Sequence, residues 1–127
     1  MTIPVFDELI HPSTRLSIVA MLASTDWAEF TFVRDRLSLS DSALSKQFAT
    51  LEEAGYVTID RPVSNHRRRV RVSLTETGRR AFEGHVAALR AVIASAELAR
   101  SFEADLDAAS PSIDMHRPDR SVRQPSV

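Results

Sequence analysis

Between Arg69 and Leu74 the chain alternates without exception: Arg69-Val70-Arg71-Val72-Ser73-Leu74. A two-residue repeat scatters its aliphatic side chains around a helix, but on a strand it places them all on one side. The run predicts a half-buried strand, with Val70, Val72 and Leu74 turned inward and Arg69, Arg71 and Ser73 turned outward. Such a strand needs a partner. The nearest run rich in β-formers is Tyr56-Val57-Thr58-Ile59-Asp60, and the chain from Pro62 to Arg67 reads as the loop between them. The two runs predict a hairpin with a basic tip.

Before this hairpin the period changes to that of a helix. His11-Pro12-Ser13 opens a first helix, since proline is tolerated in the first turn. Leu16, Val19, Ala20 and Ala23 form its apolar stripe, broadened by Ile18 and Leu22, and Thr25-Asp26 ends it. Phe30, Phe32, Val33 and Leu37 predict a second, shorter helix finishing near Arg36. After the tight link Ser38-Leu39-Ser40, a third helix is predicted from about Asp41 to Ala54. Ser40 is placed to cap it, Asp41 complements its dipole, and Gly55 can take the left-handed conformation that stops it. Beyond the hairpin, Thr75 caps a long helix over about 76–108. Its residues Phe82, Val86, Leu89, Ile93 and Ala96 follow heptad-like steps until Arg100 interrupts them. That seam either packs on the domain's own core or pairs with a second chain. A domain this small has little surface to cover so long a helix, which favours a dimer contact.

The order of helix, helix, tight link, helix, basic hairpin and helix is that of a winged helix-turn-helix, a mainly α fold with a small β-hairpin (α+β). In the third helix Leu44, Phe48 and Leu51 stand at i, i+4 and i+7 and define the buried face. The opposite face presents Ser42, Lys46 and Ala49, flanked by Ser45 and Thr50. Small and hydrogen-bonding side chains with one cation can approach base edges in a major groove. Glu52 and Glu53, in the C-terminal half, are expected to point away from DNA. The alternative for this face alone is a solvated helix surface.

Charge placement fits either a polyanionic partner or a solvated arginine face with no partner. The formal net charge is -1, yet Arg61, Arg67, Arg68, Arg69 and Arg71 fall within twelve residues, whereas residues 1–60 carry four basic against nine acidic side chains. Arg67, Arg68 and Arg69 sit at the expected tip, where guanidinium groups can straddle phosphates or enter a narrow minor groove, with Asn65 and His66 assisting. Arg71 is expected to face outward as a backbone clamp. Arg61 fits either a phosphate or an acidic partner. The single tyrosine, Tyr56, and single tryptophan, Trp27, are expected to lie away from this basic face, which argues against RNA recognition by stacking.

The runs LSLSDSALSKQFATLEEAGYVTIDR and RRRVRVSLTETGRRAF resemble the winged-helix regulators of the MarR and ArsR type, and most of all the compact winged helix DNA-binding domain family of small bacterial proteins. The similarity covers roughly residues 5–95. It also rests on His11-Pro12 with Arg15, on Phe30-Thr31-Phe32, and on Leu74-Thr75-Glu76-Thr77-Gly78-Arg79 after the hairpin. It implies a bacterial, cytoplasmic transcriptional regulator that binds operator DNA as a homodimer. A winged helix devoted to protein contacts is the alternative, but it has no need of an arginine-rich tip.

Other classes find little support. With no cysteine, disulfides, thiolate metal sites and cysteine nucleophiles are excluded. His11, His66, His85 and His116 are scattered, so no metal or cofactor site is expected, and no residue points to a small-molecule effector. The three glycines form no phosphate cradle, and neither a G-x-S-x-G elbow nor a P-loop is present, so an enzyme is not expected. The first twelve residues do not read as a signal peptide, and no run is long and apolar enough to span a membrane. Residues 1–109 are read as one winged domain with its dimerisation helix, and 110–127, with three prolines, as a disordered tail.

Overall fold

A computed structural model of the protein describes residues 2–64 and 67–109. In chain order the elements are α1 (Ser13–Ala23), β1 (Ala28–Glu29), α2 (Phe30–Leu37), α3 (Asp41–Glu53), β2 (Val57–Asp60), β3 (Val63–Ser64), β4 (Arg67–Arg68), β5 (Arg71–Leu74) and α4 (Glu76–Ala109). A first compact unit ends at Arg90, and a second begins at Ala91.

The hairpin is present, but it is more than a hairpin. Strand β5 lies in the centre of a three-stranded antiparallel sheet, with β2 on one side and the two-residue β1 on the other. The register pairs Val57 with Leu74 and Asp60 with Arg71 in one ladder, and Ala28 with Val72 and Glu29 with Arg71 in the other. Strand β5 starts at Arg71, two residues later than the alternation suggests. Val70 still contributes a bond, its carbonyl accepting the Phe30 N–H at 2.8 Å. Past the sheet, β3 and β4 continue as a separate ribbon, with Val63 opposite Arg68 and Ser64 opposite Arg67.

Helix α3 owes its limits to two local devices. At its start the Ser40 hydroxyl accepts the Ala43 N–H at 3.1 Å, satisfying one of the donors a helix leaves unpaired. At its end Gly55 takes φ +81°. The Gly55 N–H then reaches the Glu52 carbonyl and the Tyr56 N–H the Leu51 carbonyl, each at 2.9 Å. This paired closure turns the chain sharply into β2, and its left-handed backbone favours glycine at the turn.

Thr75 joins the sheet to α4. Its hydroxyl accepts the Gly78 N–H at 2.9 Å and donates to the Gly55 carbonyl at 2.7 Å. Gly78 is buried against the Tyr56 carbonyl oxygen, with which any Cβ would collide. The first turn of α4 is thus seated directly on the turn that closes α3.

The core lies between α1, α2, α3 and the sheet. Leu44, Phe48 and Leu51 are buried as their spacing requires, against Val33, Val57 and Val72. On α1 the buried residues are Ile18, Val19 and Leu22, so the core-facing stripe is rotated from the one expected. Leu16 is half-buried and Ala20 exposed. The N-terminal segment crosses α4, where the Val5 N–H donates to the Gly84 carbonyl at 3.0 Å.

The expected seam on α4 does not have one environment. Phe82, placed in a dimer contact by the sequence reading, is partly buried against the domain's own core, the other environment that reading left open. Val86 and Leu89 are half-buried within the first unit. In the second unit every described side chain through Ala108 is exposed, Ile93 and Ala96 included. There the apolar side chains extend past Arg100, with Leu98, Phe102 and Leu106 at i, i+4 and i+8 each more than half exposed. No helix among the described residues is long and apolar enough to cross a membrane.

Candidate nucleic-acid interface

With Leu44, Phe48 and Leu51 turned inward, α3 exposes Ser42, Ser45, Lys46 and Ala49. Thr50 is half-buried, and its hydroxyl donates to the Lys46 carbonyl at 3.1 Å, so its donor is engaged on its own helix. Two anchors hold α3 in place. Arg34 on α2 bridges Asp35 at 2.9 Å and Asp41 at 2.8 Å, and these carboxylates hold its guanidinium even more firmly protonated than usual. Arg15 on α1 donates to the Gln47 side chain at 2.9 Å and to the Leu9 carbonyl at 2.6 Å.

Ser45 and Ala49 border a hollow of about 340 Å³ whose far wall is Ile59, Arg61 and Val70, at the root of the β3–β4 ribbon. Helix and ribbon root therefore stand side by side. Glu52, expected to lie away from this surface, lines the same hollow. It falls seven residues after Ser45, two helical turns along the same stripe.

The arginines divide into groups the sequence does not distinguish. Arg67 and Arg68 form β4 of the ribbon, while Asn65 and His66 lie outside the described residues. Arg69 precedes β5 instead of belonging to it, and its guanidinium pairs with Glu29 of β1 at 3.2 Å. Arg71 departs furthest from expectation. Its guanidinium carbon stands 4.1 Å from the centre of the Trp27 ring, and its Nε is buried without a hydrogen-bond partner among the described residues. Arg71 is thus stacked on an aromatic face. Trp27 is correspondingly next to the basic strand, contrary to the sequence reading. Neither Trp27 nor Glu29 is marked by any periodicity, because β1 is only two residues long.

Two of the scattered histidines also meet. His11 Nδ1 and His85 Nε2 are 3.3 Å apart, beside the Phe6 ring. Among the described residues no group of three or more His, Asp or Glu side chains could hold a metal ion. His116 lies outside them.

Three helices, a central β5 and a ribbon beside α3 can be set against known proteins. The sequence model of the family described as "Winged helix DNA-binding domain" matches residues 14–93. The chain belongs to this family. Its winged helix is similar to the uncharacterized protein MJ0432 of Methanocaldococcus jannaschii, 28% identical over 79 residues, covering 62% of this chain and 86% of that protein. Among solved structures, a transcriptional regulator homologue from Pyrococcus horikoshii OT3 superposes with a TM-score of 0.67 at 25% identity, covering 70% of this chain and 88% of the other. HlyU from Vibrio cholerae superposes with a TM-score of 0.51 at 26% identity, over 60% of this chain and 78% of HlyU. In the terms of a winged helix, the β3–β4 ribbon is the wing.

Proposed function

We propose that this winged helix is a sequence-specific regulator of transcription that binds double-stranded DNA as a homodimer and represses by occupying the promoter. The reading is carried by the juxtaposition of α3 and the wing root around one hollow. Ser45 and Ala49 of the helix face that also exposes Ser42 and Lys46 border that hollow, with Arg61 at the ribbon root across it. A major groove about 12 Å wide admits α3, while the wing reaches the flanking backbone or minor groove. Lys46 suits a guanine or a phosphate. Glu52, on the same stripe, favours a cytosine amino group and disfavours a phosphate. Family membership and the likeness to a transcriptional regulator homologue support the reading.

The second copy is expected on the C-terminal half of α4. A helix that leaves Leu98, Phe102 and Leu106 exposed presents the apolar stripe from which helix pairs are built. Two such subunits place two recognition helices on half-sites about one turn of DNA apart. Selection of bound duplexes from a random pool tests both parts together. The expected product is an enriched, roughly palindromic sequence, and recovery of a pool no different from the input would end the reading.

A further inference from the structure

The segment 27–29, which includes β1, grips the base of the wing at two points. Glu29 holds Arg69, and Trp27, the residue just before β1, holds Arg71. Both arginines flank the step from the sheet into the ribbon, where the ladder between β2 and β5 has ended. Among the described residues the Arg69 N–H bridges that step on the wing side, donating to the Pro62 carbonyl at 3.2 Å. Side chains at the ribbon's root can fix its angle, and a guanidinium on an indole face is a directional contact.

We propose that Trp27 is a positioning residue for DNA binding, acting through Arg71 to set the angle of the wing, and that Arg71 does not itself contact phosphate. The proposal rests on the DNA-binding reading above. Trp27 stands on the segment between α1 and α2. Arg71 has its guanidinium committed to the indole and its Nε buried, so a phosphate contact would require leaving the stack. Phosphate contact by the wing is then expected of β4, which carries Arg67 and Arg68.

Because Trp27 is the only tryptophan and remains 43% exposed, its emission reports the stack in the full chain without DNA. Replacing Arg71→Ala is expected to raise the acrylamide quenching of Trp27, and unchanged quenching would show that the stack does not form in solution and overturn the proposal. Binding to a selected duplex is then followed against salt concentration for Trp27→Ala, Trp27→Phe, Arg71→Ala and the double variant, each checked by circular dichroism. Trp27→Ala removes no charge, yet it is expected to lower affinity by about two- to fivefold, as far as Arg71→Ala does. The double variant is expected to go no further, and Trp27→Phe to restore most of the loss. Losses that add, or an Arg71→Ala loss with Trp27→Ala unaffected, would identify Arg71 as an independent DNA contact and refute the assignment. Failure of the unmodified chain to bind DNA would remove the positioning role together with the DNA reading, while the quenching result would still decide the stack.

Discussion

His85 Nε2 lies 3.3 Å from His11 Nδ1, across 74 residues of chain, and His85 Nδ1 accepts the Asp7 N–H at 2.9 Å. An acceptor at Nδ1 places the His85 proton on Nε2, which donates to His11. The fully buried ring is thus built into the fold as a neutral imidazole. Burial, and then the neighbouring His11, push its pKa below the ordinary 6.5, against smaller opposing effects from Asp7 and Glu8.

Stability is therefore expected to fall in acid. Below pH 6.5, the ordinary histidine value, the unfolded chain takes up a proton that the folded chain refuses, so stability decreases as pH drops toward the lowered folded-state pKa. Above that window His85 contributes no pH dependence. Denaturant unfolding between pH 5 and 8 checks this, with His85→Gln as comparison. An equally steep acid loss in that variant would assign the effect to other groups.

Tyr56 is expected to titrate far above a free phenol. Burial, reinforced by its 2.6 Å bond to the Asp7 carboxylate, pushes its pKa up to about 12. As the only tyrosine, it can be followed by phenolate absorbance alone. The unfolded chain ionises first, so stability declines as pH rises from about 10 toward 12. Tyr56→Phe removes the bond and is expected to cost about 1.5–3 kcal/mol, as for hydrogen bonds to charged groups.

Two glycines should respond differently to the same substitution. Gly78→Ala drives a methyl into the Tyr56 carbonyl and is expected to cost about 1–3 kcal/mol or more, with no relief from any other side chain. At Gly55 nothing lies within 4 Å of an added Cβ, and only its φ of +81° opposes it. Gly55→Ala is expected to cost about 1–2 kcal/mol, with Gly55→Asn milder because asparagine tolerates the left-handed region. Thermal unfolding of the four variants ranks them directly, Gly78→Asn being the most damaging.

On DNA, Arg67→Ala with Arg68→Ala is expected to weaken binding to all sequences alike. The slope of log affinity against log salt should fall by about two. Ser45→Ala or Lys46→Ala should instead change which sequence is preferred, by about 1–3 kcal/mol at the affected base pair. A salt slope unmoved by the arginine pair would contradict the placement of the wing.

Sedimentation is expected to show a dimer that Leu98→Asp with Phe102→Asp converts to monomer. Circular dichroism of that variant should retain the winged domain, because both residues lie in the exposed second unit of α4. A wild-type monomer at micromolar concentration would end the dimer proposal.

How much of this was legible in the sequence depended on distance along the chain. Helix α3, with its Ser40 cap, its Gly55 stop and its buried Leu44-Phe48-Leu51 face, is written in adjacent residues, because capping, backbone freedom and helical spacing are local. The same holds for β5, whose alternation marks Val72 as a core residue, and for the order of elements that makes a winged helix. Local pattern also misled. The stripe on α1 came out rotated toward Ile18 and Leu22, because several apolar residues compete there and only the neighbouring elements decide which are covered. Phe82 fits a heptad seam equally well, yet it packs on the core of its own domain.

The sequence by itself determined where helices start and stop, which face of α3 is buried and where positive charge accumulates, since these follow from spacing and side-chain chemistry within a few turns. Only the tertiary structure decided that Arg69 pairs with Glu29, that Arg71 stacks on Trp27 and that His11 meets His85. Each joins residues 40 or more positions apart. A side chain's partner across such a separation is chosen by how the elements pack, and one alternating strand cannot tell an arginine that faces solvent from one that has found an indole.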